Sequence, residues 1–313
     1  MGKKETIGII LITLVLFVWM YFNTPKAPVQ PPHPKTTTGQ SVDSTAVGSG
    51  KRIPVPRGMM KMTEPAAVAG DTSALRLYGK TFGPLSQGTA KTITIETSLY
   101  TAVLTTEGGM IRDWTLTKYK TWRGAPVELV NYKHKGDYSL LFQTMDGKLI
   151  DTKDLFFTAP ITNGEVVKLK NGEAYSLSFT LNIRDSSRII REFTFKGGAY
   201  DFGSQVVLKH MDRYIANYEY QVTWEHGLNY TEENSVDESS FSTGYAYSGG
   251  EAVTLEASKP GEPVKQEIGG NTNWVAQTTK YFTEVIAPKG KPADGAYLRG
   301  TEEHLPNEGL ERQ

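Results

Sequence analysis

The sequence predicts an all-β fold, a large antiparallel β-sandwich carried behind one N-terminal transmembrane helix. Three observations predict it: strand-length runs of period-two alternation beyond residue 75, glycine-bearing turns between those runs, and one uncharged apolar run at the extreme N-terminus. That run, Ile7 to Phe22, reads IGIILITLVLFVWMYF and is interrupted only by Gly8 and Thr13. As a helix it covers roughly 24 Å, close to the ~30 Å hydrocarbon layer once Thr6 and Asn23 extend it. Ile7, Leu11, Leu14, Phe17, Trp19 and Phe22 are the anchor residues, with Trp19 and Tyr21 suited to the far interface. Lys3 and Lys4 precede the run, so the positive-inside rule keeps the N-terminus cytoplasmic and sends the remainder across. A cleaved signal peptide would need small residues just before the cut; Ala27 sits between Pro25 and Pro28, and no cysteine is present for a lipoprotein. The anchor is therefore expected to stay in place.

Residues 24–72 follow as a disordered linker rich in Pro, Ser, Thr and Gly, with a spacer role favoured over a PxxP ligand because Pro28, Pro31 and Pro34 repeat only weakly. The body, residues 73–313, then reads as strands. Tyr175, Leu177, Phe179, Leu181 and Ile183 alternate with Ser176, Ser178, Thr180 and Asn182, which buries one face. Phe193 and Phe195 alternate with Glu192, Thr194 and Lys196, and Tyr218, Tyr220, Val222 and Trp224 with Glu219, Gln221, Thr223 and Glu225. Asn171-Gly172, Gly197-Gly198 and Asp146-Gly147 supply positive φ for tight turns. No convincing amphipathic helix separates the strands, which points to a sandwich or barrel and away from α/β.

Composition narrows the chemistry. A chain of 313 residues buries a core without staples, and zero cysteines remove thiol catalysis, disulfides and cysteine-based metal sites. A formal charge of +0, from 34 basic and 34 acidic residues, offers polyanions no field, so nucleic acid is excluded as a partner. No GxSxG, HExxH or GxxxxGK[ST] motif occurs. His33, His134, His210, His226 and His304 are scattered without ligand spacing, and Asp146, Asp151 and Asp154 lack the alternation of a calcium loop. No catalytic residue, metal or cofactor is expected. Glu225 and His226, beside Trp224, are the one adjacent acid and imidazole near a strong strand, but neighbours on a strand face opposite ways. The acidic run Thr231 to Ser240 reads as a solvated loop, Asn229-Tyr230-Thr231 as a chance sequon, and the Tyr245 and Tyr247 pair as strand packing.

Three stretches carry a family resemblance: Thr106 to Val130, with W-x-L-x-K-Y and V-E-L-V; Arg191 to Lys209, with F-x-F-K-G-x-x-Y; and Asn273 to Pro288, NWVAQTTKYFTEVIAP. With the order anchor, linker, strands, they make the chain resemble the N-terminal part of the YidC family of bacterial membrane protein insertases. The resemblance implies an inner-membrane protein with a periplasmic super-sandwich of galactose-mutarotase-like type. It also implies nascent membrane proteins, the Sec translocon and the lipid bilayer as partners of the full-length form, and no small-molecule substrate. The family's insertion activity resides in further membrane helices beyond Gln313, and the polar end Thr301 to Gln313 looks like a body cut before its last strands. An alternative from another class is a membrane-tethered carbohydrate-binding or epimerase-like sandwich, which would require a His and a carboxylate converging in an aromatic-lined cleft.

Overall fold

The computed structural model describes residues 72–304, other than 132 and 134, and residues 310–312. The anchor residues Ile7 to Phe22, the linker up to residue 71, and His33 and His134 lie outside the described residues. The first element is α1 (Thr72–Phe82), kinked at Gly79, where φ is 73°. Strands follow as β1 (Thr92–Glu96), β2 (Tyr100–Thr105), β3 (Met110–Lys120), β4 (Pro126–Val130), β5 (Ser139–Gln143), β6 (Leu149–Asp151), β7 (Glu165–Lys168), β8 (Ala174–Asn182), β9 (Arg188–Lys196), β10 (Phe202–Lys209) and β11 (Gln221–Thr223). A short helix, α2 (Ser235–Ser239), precedes β12 (Thr243–Ser248), β13 (Glu251–Leu255), β14 (Val264–Thr278), β15 (Thr283–Ile286), β16 (Ala293–Gly300), β17 (Glu302–His304) and β18 (Leu310–Arg312).

These strands form antiparallel sheets, with one parallel pairing, β1 beside β7. The order β4-β3-β2-β1-β7 makes one sheet, and β10-β9-β8 and β11-β5-β6 make two smaller ones. Their inner faces share one core: Ile93 and Ile95 of β1, Tyr100 and Leu104 of β2, Leu140 of β5, and Phe179, Phe193 and Phe195 of β8 and β9 are all sealed from solvent. Trp114 of β3 stacks on Tyr100 with ring centres 4.1 Å apart and lies 5.5 Å from Phe202 of β10, which joins the layers of this β-sandwich. The fourth sheet, β13-β12-β14-β15 with β16 also on β14, is thinner: Ala246 and Leu298 are buried, while Phe282 and Ile286 pack on the main core.

The alternations read at 175–183 and 192–196 hold, with Leu177, Phe179, Leu181, Phe193 and Phe195 inward. Gly147, Gly172 and Gly198 all take positive φ, as their turns require. Three expectations change. The helix α1 was hidden by its glycine and its 11-residue length; it holds because Ala74, Tyr78 and Phe82 face inward, Phe82 meeting the Phe142 ring edge-on at 5.5 Å. The run Tyr218 to Glu225 is a strand only over Gln221–Thr223, because Asn217 and Tyr218 adopt left-handed φ of 53° and 58° and turn Tyr218 out to 77% exposure. The acidic run is not a solvated loop: Asn234 caps α2, and Glu238 is fully buried, accepting from the Thr231 and Glu232 amides at 2.6 and 2.7 Å and from Thr231 Oγ1 at 3.1 Å.

Candidate functional site

The Glu225 and His226 pair does meet a carboxylate. β11 ends at Thr223, so the next residues leave strand geometry and both present their amides to Asp137, which lies just before β5. Asp137 Oδ1 accepts from the Glu225 amide at 2.7 Å and the Tyr138 amide at 2.9 Å; Oδ2 accepts from the His226 amide at 3.0 Å and lies 3.1 Å from His226 Nδ1. Four partners on two oxygens occupy the lone-pair sites of a carboxylate, and Asp137 is 5% exposed. It is a fastener between the β4–β5 and β11–α2 connections.

The Glu225 carboxylate pairs with Lys153, whose ammonium also lies 3.3 Å from Asp151. On the other side, Gln277 of β14 donates from Nε2 to the His226 carbonyl at 2.9 Å and to Glu284 of β15 at 2.5 Å. Burial of the Glu284 carboxyl, reinforced by the charge of Asp137, pushes its pKa well above the usual carboxylate range against the opposing Gln277 hydrogen bond. The thin fourth sheet is thus fastened to the main core through polar groups.

Behind this cluster stands Arg191 of β9, fully buried. Its Nη1 donates to the Gly108 carbonyl at 3.3 Å and its Nη2 to the Tyr138 carbonyl, and its guanidinium lies 5.3 Å from the centres of the Tyr138 and Phe193 rings. Burial lowers its pKa to about 10, which leaves it charged at neutral pH.

Of the residues flagged from sequence, Trp224 packs near Tyr138, ring centres 5.9 Å apart, within the cluster. Tyr247 stacks on Trp274 at 5.7 Å, a direct cross-strand pair. Asp151 accepts from the Lys153 amide, Asp154 from Tyr78 at 3.0 Å, and Asp146 from Thr144, so the three serve separate local bonds. No group of three metal-ligating side chains converges among the described residues. Sequence reading missed Asp137, Gln277 and Glu284, which nothing local links to His226. Arg191 was legible: it occupies the inward phase of Ile189, Phe193 and Phe195, where a charge is out of place.

One half of the sugar-enzyme requirement is met, since a His and a carboxylate converge. One groove of about 200 Å³ among the described residues is lined by Leu149, Asn217 and Tyr220 among others, with neither Asp137 nor His226 in its wall.

The described residues thus form an all-β sandwich whose converging polar groups bond one another. The chain belongs to the YidC periplasmic domain family, which its sequence matches over residues 92–311. Among the relatives it resembles are proteins named membrane protein insertase YidC from Chlorobium luteolum, 32% identical over 97% of this chain, and Chlorobium phaeovibrioides, 32% over 96%. A third, from Chlorobaculum tepidum, bears the same name and is 33% identical over 96%. The chain spans about half the length of these curated relatives, 49%, 48% and 48%.

Proposed function

We propose that the chain is the anchor and periplasmic body of a membrane protein insertase, acting in the inner membrane alone or beside the Sec translocon to position nascent membrane proteins. The observation that carries the reading is the match to relatives of that name across nearly the whole chain, 97% of it in one case. In this reading residues 1–23, with Ile7, Leu11, Leu14, Phe17, Trp19 and Phe22, span the bilayer from a cytoplasmic N-terminus, residues 24–72 are the linker, and residues 73–313 form the body, a super-sandwich of galactose-mutarotase-like type. The body binds and orients; it breaks no bonds. In this reading Asp137 is a structural fastener, its carboxylate taken up by three backbone amides and the His226 imidazole.

The test has two arms. In spheroplasts, added protease should digest the body and leave a short N-terminal fragment, and protection of the body would overturn the topology. In cells depleted of their own insertase, the reading frame that contains this chain and any in-frame continuation should restore growth and insertion of a short two-helix membrane protein. Restored topology without restored insertion would leave the anchor reading standing and refute the functional one.

A further inference from the structure

One end of the body gathers exposed apolar side chains. Met145 in the β5–β6 turn is 58% exposed, Leu149 at the start of β6 63%, and Tyr218 and Tyr220 before β11 77% and 42%. They belong to one surface: Leu149, Asn217 and Tyr220 line the groove of about 200 Å³ together, and the Met145 amide donates to the Tyr214 carbonyl at 3.1 Å. Helix α1 lies against the same turn, Lys148 Nζ donating to the Arg76 carbonyl at 2.9 Å. It adds Leu75 and Leu77, 44% and 60% exposed.

The cations here are unpaired. Arg76, Lys80 and Lys148 form no ion pair among the described residues; the acids near α1 and the hairpin are Asp146, Glu219 and Asp154, and Asp154, which accepts from Tyr78 of α1 at 3.0 Å, is itself paired with Lys135. Two consecutive non-glycine residues, Asn217 and Tyr218, hold left-handed φ, a conformation that carries a side-chain penalty, and the result is a tyrosine held out in solvent.

We infer that this end of the body, formed by α1, the β5–β6 hairpin and the turn before β11, docks on the anionic headgroup surface of a lipid bilayer. The inference rests on the anchored reading and adds to it a contact made by the body itself. Two features favour lipid over a protein partner. α1 is the first described element, so this is the end to which the preceding 71 residues, apolar run included, connect. Leucine, methionine and tyrosine interspersed with unpaired cations is the composition of an interfacial surface, aromatic hydroxyls and cations at headgroup level and aliphatic tips below. The groove, about 200 Å³, is smaller than the usual ~300–1,000 Å³ of a ligand site, so the exposed side chains around it rather than an enclosed pocket are what this end offers a partner.

The absence of native cysteine makes the test direct. The full chain carrying Gln143→Cys, a groove-lining position, or Glu251→Cys on exposed β13, is labelled with an environment-sensitive fluorophore and reconstituted in phosphatidylethanolamine–phosphatidylglycerol vesicles containing headgroup nitroxide lipid. Docking predicts at least three-fold more quenching at 143 than at 251. That excess should vanish in the Leu149→Glu/Tyr218→Glu variant with an unchanged tryptophan spectrum, and should fall in phosphatidylcholine vesicles. Equal quenching at the two positions in chain that floats with the vesicles overturns the docking and leaves the anchor standing. Energy transfer between labelled copies at 143 without nitroxide quenching assigns the surface to a second copy and overturns it likewise. Chain that fails to float refutes the anchor and, with it, the docking.

Discussion

Arg191 is a cation at neutral pH inside an aromatic core, and its worth lies in the two carbonyls it satisfies. Gly108 sits in the β2–β3 turn and Tyr138 just before β5, so one guanidinium from β9 ties together three segments far apart in sequence. Leaving a buried carbonyl without a donor costs about 1–3 kcal/mol, and truncation adds a cavity. Arg191→Ala should therefore lower unfolding stability by about 3 kcal/mol or more in urea titration, with volume-preserving Arg191→Met losing roughly half as much; a shift under about 1 kcal/mol for the alanine variant would show the carbonyls to be satisfied otherwise. Glu284 gives a pH prediction. Its folded pKa lies above the unfolded value, so the folded state holds a proton that the unfolded chain releases first. Its favourable contribution is complete below the ordinary carboxylate range and is lost as pH climbs from there through the raised value. Glu284→Gln keeps the shape and removes the titration, so the variant should gain melting temperature over the parent increasingly from pH 5 to pH 8, and parallel pH profiles would refute the assignment.

The short helix α2 depends on one buried side chain. Glu238 takes the Thr231 and Glu232 amides and the Thr231 hydroxyl, while Lys280 beyond β14 pairs with Glu232 and Asp237 outside. Glu238→Ala orphans those donors, and amide exchange at Thr231 and Glu232 should accelerate at least ten-fold with a stability loss of about 2 kcal/mol; unchanged exchange would mean that α2 is held by something else. The turn before β11 behaves in the opposite sense. Tyr218→Gly relieves a left-handed tyrosine and should stabilise the body by up to about 1 kcal/mol while abolishing the quenching excess at position 143, a separation that a merely structural tyrosine would not give. These elements also mark where sequence stops being informative. β8 and β9 were legible because half-burial writes itself as period two, and the turns because positive φ selects glycine. The α2 region was not: TEENSVDESS carries a single apolar residue, Val236, and no period, and its burial comes from backbone amides converging on one carboxylate. Tyr218 broke an alternation that looked continuous through Trp224, since Asn217, not a glycine, made the left-handed turn.

At the scale of the whole molecule, charge and connectivity act in opposition. A formal charge of +0 gives no long-range attraction toward an anionic bilayer, so the cations at the α1 end act only within about 10 Å at ordinary salt. Something must bring the body that near, and the linker proposed for residues 24–72 does so. Roughly 50 residues of this composition span on the order of 40 Å root-mean-square, which confines the body to a shell where a surface of modest affinity is occupied most of the time. A protease site placed after Gly50 separates the two contributions. With the linker intact, quenching at position 143 should be independent of vesicle concentration. After cleavage it should drop at least ten-fold at micromolar lipid, recover as lipid is raised, and be lost again in 0.5 M salt as the cationic part is screened. A cleaved body that stayed bound at the same lipid concentration would show the surface to be self-sufficient, and the linker would then serve only to set the body's reach.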